Sequence, residues 1–260
     1  MSLCDADEIE RIFNVSSADD YLLKLRANAT VEHIRIYRVF LSRKRKHRGE
    51  WSFSKYFDMA PFDNYINHLS DDDYTTAEKL SAGFVFCNSP NGRIIKTEFG
   101  NIITISESLR YFIYFMNLAC LDFEESDLPG DVRAAAIKIA IRTMLQTEAL
   151  DFDIDPRGEI PEPVDKECQY HTDRQLEFVI GHEYSHHFLG HLDNGKLIDE
   201  SMMATLDSQE FKHKTYSYLQ QDEFAADIDA IERPIYSLEE REDMLNRALF
   251  FFVYLDIGSI

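Results

Sequence analysis

The stretch Phe178-Val-Ile-Gly-His182-Glu183-Tyr-Ser-His186-His187-Phe-Leu-Gly190 sets two histidines and a glutamate among apolar residues. Histidines four apart on a helix project from one face, about 40° apart, so both imidazoles can reach a single ion. Glu183 follows about 100° round the helix, where it can touch a water on that ion without ligating it. With nine histidines in 260 residues, a chance H-E-x-x-H arises in roughly 3% of such chains, so the surroundings must decide. Thr172 reads as an N-cap, Leu176, Val179 and Ile180 as an inward face, and Gly190 as a stop. The motif therefore falls on a largely buried helix, where two unliganded imidazoles would be costly. Zinc suits the donors: it polarises a carbonyl and makes its bound water nucleophilic near neutral pH, while Glu183 takes the proton.

At 260 residues, 45% hydrophobic and 28% charged, the chain can bury a sizeable core. A formal net charge of −20 argues against nonspecific binding to nucleic acid or an anionic membrane. The one local exception, Arg43-Lys-Arg-Lys-His-Arg48, reads as the solvated end of a helix. Cys4, Cys87, Cys120 and Cys168 are widely spaced and the N-terminus lacks a secretory pattern, so thiols in a reducing cytoplasm are expected. The longest apolar runs fall short of the roughly 20 residues of a spanning helix.

Residues 1–80 read as a helical region, a regulatory or interaction subdomain by position. Ser16 or Ser17 caps a helix over Ala18–Arg26, and Thr30 caps a second that ends in the basic run. A third spans Ser54–His68, interrupted near Pro61, and Asp71-Asp-Asp is an acidic helix start. Residues 81–260 read as the catalytic domain. It opens with a three-stranded meander over Phe84–Ile105 that turns at Ser89-Pro-Asn-Gly92 and Gly100-Asn101. An apolar helix follows from Ser106 to about Leu121, then one over Asp131–Leu150 and a proline-rich loop over Asp151–Asp165. After the H-E-x-x-H helix come a polar connection over Leu192–Thr215 and two helices. The expected class is α+β, mostly helical, with a small antiparallel sheet.

A catalytic zinc takes three protein ligands and keeps a position for water. A histidine six residues after His186 is excluded, because Leu192 stands there. Gln221-Asp-Glu223-Phe-Ala-Ala-Asp227 supplies the alternative: Glu223 as third ligand, and Asp227 on the same face accepting the free N–H of a zinc histidine. Ala226 and Ala230 let this helix approach closely. Glu210 and His213 are weaker choices for the third ligand, and His187 and His191 point away from His182 if the helix continues. Tyr216, seven residues before Glu223, is the candidate oxyanion stabiliser if that helix reaches it, with His213, Tyr218 and Arg233 behind it.

With H-E-x-x-H and a later E-x-x-x-D helix, the chain resembles the gluzincin zinc peptidases. Within them it resembles the Lit family of bacterial phage-exclusion peptidases. The likeness covers roughly Gly83–Leu255, including Ile102-Ile-Thr-Ile-Ser-Glu-Ser-Leu-Arg-Tyr, His182–His191, Gln221–Ala230 and Asn246-Arg-Ala-Leu. It implies a minimal gluzincin core that holds a substrate peptide along its sheet edge, supplied here by Phe84–Ile105. It further implies zinc-dependent cleavage of a cytosolic protein, with elongation factor Tu as substrate and a phage-derived peptide as activator. In that family a His-Pro-containing segment with an arginine follows the last helix; none is read before Ile260. Two other readings compete: a repressor-cleaving metallopeptidase of a mobile element, and a binding protein with a structural or vestigial zinc site.

Overall fold

A computed structural model describes residues 3–87, 90–123, 128–193, 196–201 and 212–258, with backbone alone over 197–201 and 212–216. Its helices are α1 (Ala6–Phe13), α2 (Ala18–Glu32), α3 (Ile34–Lys46), α4 (Ala60–Asn67), α5 (Asp71–Ala77), α6 (Glu107–Cys120), α7 (Gly130–Met144), α8 (Glu162–Phe188), α9 (Gln220–Glu232) and α10 (Leu238–Gly258). Its strands are β1 (Ser81–Val85), β2 (Gly92–Thr97), β3 (Gly100–Ser106), β4 (Lys196–Ser201) and β5 (Lys212–Ser217). The protein is a mostly helical α+β fold, as the sequence pattern leads one to expect. One continuous core runs from Leu3 to Tyr254, so the N-terminal helices pack into the same interior as the rest of the chain. Among the described residues no disulfide joins the cysteines, and no helix is long and apolar enough to cross a membrane.

The sheet is not the expected meander. Its strand order is β1-β3-β2-β5-β4, with β1 parallel to β3 and the other pairs antiparallel. The reason lies in the crossing between β1 and β2. The hydroxyls of Ser106 and Ser108 donate to the carbonyl of Cys87 at 3.2 and 3.0 Å, and the Ser106 amide donates to Asn91 at 3.0 Å. These bonds draw the chain across the end of β3, so β2 forms on its far side. Of the expected turn at Ser89-Pro-Asn-Gly92, Ser89 lies outside the described residues. The connection read over Leu192–Thr215 contains β4 and most of β5, which runs on to Ser217; together they extend the sheet beyond β2.

Several boundaries also shift. Ser17 caps α2 as expected, but that helix runs on to Glu32. Thr30 therefore sits inside it, its hydroxyl donating to the Arg26 carbonyl. Pro61 opens α4 instead of interrupting a helix, since its missing N–H is unneeded in the first turn. Pro163 does the same for α8, which starts at Glu162; the proline-rich stretch ends earlier than expected and Thr172 is interior, not a cap. The helix over Asp131–Leu150 stops at Met144. Ser70 caps the acidic start of α5, and the basic run closes α3, where Arg43 pairs with Asp153 at 2.6 Å.

Helix α8 is the spine of the fold. Asn117 on α6 donates to Thr172 at 3.1 Å and Gln175 at 2.8 Å, and accepts from Tyr254 on α10 at 3.0 Å. Buried Glu177 accepts from Arg174 at 2.6 Å and from Tyr236, in the α9–α10 connection, at 2.7 Å. On the α4 side, Tyr65 stacks on Tyr184 with ring centroids 5.8 Å apart. It can do so because the residue before His182 is glycine: a Cβ on Gly181 would lie 2.5 Å from Tyr65 Cε2. Gly181→Ala gains helix propensity, about 1 kcal/mol, yet forces a buried ring aside. We expect a net loss of about 1–3 kcal/mol in denaturant unfolding; a gain would mean that Tyr65 is free to move.

Candidate metal centre

His182 and His186 stand one turn apart on α8, and Glu223 reaches them from the first turn of α9. The two helices meet through Ala226 and Ala230, both buried, whose small side chains allow the close approach. The Nε2 atoms of His182 and His186 lie 3.1 Å apart. Glu223 Oε2 lies 3.2 Å from the first and 3.7 Å from the second. Tetrahedral zinc with bonds of about 2.0–2.1 Å needs donor separations near 3.3 Å, so this triangle fits such an ion. Among the described residues, His182, His186 and Glu223 form the one group of this kind. The donor set, two imidazoles and a carboxylate, is one that zinc accepts with a position left open.

The electrostatics suit a cation. Burial works against a charged His182, but hydrogen bonds to Asp227 and Glu223 outweigh it and hold the imidazole well above its usual value. Hydrogen bonds from both histidines hold Glu223 down at about 2. Asp227 Oδ1 sits 2.8 Å from His182 Nδ1, so Asp227 accepts that N–H and leaves Nε2 as the donor toward an ion. The five residues His182, Glu183, His186, Glu223 and Asp227 are thus brought together.

Glu183 turns toward β2 and is buried. A Cβ on Gly92 would lie 2.7 Å from Glu183 Oε1, so this position must be glycine for the carboxylate to sit where it does. Burial pushes the Glu183 carboxyl up to about 7, against the pull of His182, with Glu223 adding to the rise and Arg93 on β2 opposing it. Gly92 and Arg93 precede the motif by about 90 residues, and no spacing rule connects them to it.

Tyr216 lies in β5, paired with Leu197, and not on the Glu223 helix, which begins at Gln220. The condition that put it on the Glu223 face is not met, and its side chain is outside the described residues. The same is true of the His213 side chain, while Glu210 is outside altogether. Arg233 is committed to Asp229 at 2.7 Å and Asp73 at 3.2 Å. Tyr218 lies flat on His186, ring centroids 3.7 Å apart and planes 10° from parallel. His191 does not point away: Gly190, at φ +71°, ends the helix and folds His191 back, placing its Nδ1 3.0 Å from His186 Nδ1. No protein-family model, curated protein or solved structure matches the chain.

The raised Glu183 carboxyl has a consequence for the metal-free protein. Below the unfolded value, near 4.5, the group is neutral in both states. As pH rises from there to about 7, the unfolded chain ionises freely while the folded one holds the proton, so stability falls across that window. Glu183→Gln removes the penalty. With chelator present, the variant should exceed wild type by on the order of 3 kcal/mol at pH 8 and match it at pH 4 in denaturant titrations. Equal stability at both values would show that Glu183 carries no burial cost.

Proposed function

We propose that the chain is a zinc-dependent endopeptidase acting on a protein substrate, with His182, His186 and Glu223 holding the metal and Glu183 as general base. The observation that carries this reading is the pairing of a three-donor triangle with a buried carboxylate next to it on the same helix. When bound, zinc supplies electrostatic polarisation of a scissile carbonyl and acidifies a water. Glu183 takes the proton from that water at its carboxylate and can deliver it to the departing amine. Burial raises the Glu183 carboxyl in the metal-free chain, and a bound cation would draw it back down, toward the ionised form that a base needs. Asp227 fixes the His182 ring, so Glu223 and the imidazoles need little rearrangement to ligate.

Gly92 at the start of β2 borders Glu183, but β2 is an interior strand, with β3 on one side and β5 on the other. Capture of a substrate peptide as an added strand on the Phe84–Ile105 sheet is therefore proposed on the family resemblance alone. Cleavage of a cytosolic target in phage defence, with elongation factor Tu as the target and an activating partner, is proposed on the family resemblance alone.

The test is a comparison of new protein N-termini in bacteria expressing wild type or Glu183→Gln, before and during phage infection. Glutamine keeps the shape of the side chain and removes the base. New termini with wild type and none with the variant are expected, a loss of at least about 100-fold in cleavage. Identical profiles in both conditions would contradict peptidase function and favour the binding-protein reading.

A further inference from the structure

We propose that His191, backed by Asp222, is a positioning residue that locks the ring of His186 for metal binding; this rests on the metal reading above. The turn at Gly190 brings His191 behind His186, where the two Nδ1 atoms face each other at 3.0 Å. Two ring nitrogens at that distance need one N–H and one lone pair between them. Ligation through Nε2 leaves the proton of neutral His186 on Nδ1, so His186 donates and His191 accepts. The proton of His191 is then on its own Nε2, which faces Asp222 Oδ1 at 3.9 Å, an electrostatic distance.

The contact between the two Nδ1 atoms therefore sets both tautomers, and Asp222 adds an electrostatic preference for the proton on His191 Nε2. The flat Tyr218 ring fixes the plane of His186 from one face. His191 cannot serve as an additional ligand to the same ion, because it meets His186 on the nitrogen opposite the metal-facing one. Nor is it a surface residue, with 12% of its side chain exposed.

The experiment is zinc competition against a coloured chelator using the full chain, with unfolding of the metal-free proteins measured in parallel. His191→Ala should weaken zinc binding about 10–100-fold, while His191→Gln, whose amide carbonyl can accept the same N–H, should stay within a few-fold of wild type. Metal-free unfolding should not follow that order. Equal zinc affinity for wild type and His191→Ala overturns the inference and leaves the metal site standing. A wild type that takes no zinc overturns the metal reading and this inference together. Should the alanine variant fail to fold, nitrogen NMR of zinc-loaded wild type decides. Protons on His186 Nδ1 and His191 Nε2 support the relay, and any other placement contradicts it.

Discussion

Everything in the site depends on how closely α9 approaches α8. Ala226 and Ala230 lie fully buried between the helices, and larger side chains there would lift Glu223 and Asp227 off the histidines. Because Cβ atoms four apart share a helix face, one contact sets two distances at once: Glu223 to the Nε2 atoms of His182 and His186, and Asp227 to the Nδ1 of His182. The clamps on α8 from α4, α6 and the α9–α10 connection keep the partner helix equally fixed. Preorganisation is thus a property of packing, and the polar groups inherit it.

That packing carries an electrostatic cost. Two imidazoles are drawn largely out of water, and Glu183 is driven toward its neutral form by burial. Glu223 and Asp227 offset the cost on the histidine side, and a divalent cation would offset it on the side of Glu183. A cation held between His182, His186 and Glu223 would take the place of the proton that His182 otherwise retains, which supports the proposed metal site.

The cluster of His182, His186 and Glu223 is legible in the sequence because all three obey helical spacing. His182 and His186 share a face by the rule of four, and Glu223, Ala226, Asp227 and Ala230 declare a close helix contact by their sizes and charges. Helix class is legible for the same reason, and so are the Ser17 cap of α2, the acidic start of α5 and the start of α6 at Ser106. What could not be read depended on chain reversals and distant pairings. Helical periodicity points His191 away from His182, but α8 ends at Phe188 and Gly190 turns the chain back. Gly92 reaches Glu183 only through a strand order produced by three hydrogen bonds at Cys87 and Asn91. The start of α8 was hidden by prolines, which signal a loop and a helix's first turn equally well.

X-ray absorption at the zinc edge on the stoichiometrically loaded protein tests the central claim most directly. The account predicts one zinc per chain with two imidazole nitrogens and at least one oxygen at about 2.0–2.1 Å, and loss of the imidazole signal when His182 and His186 are both replaced by alanine. A sulfur neighbour near 2.3 Å, or an unchanged shell in the double variant, would contradict it.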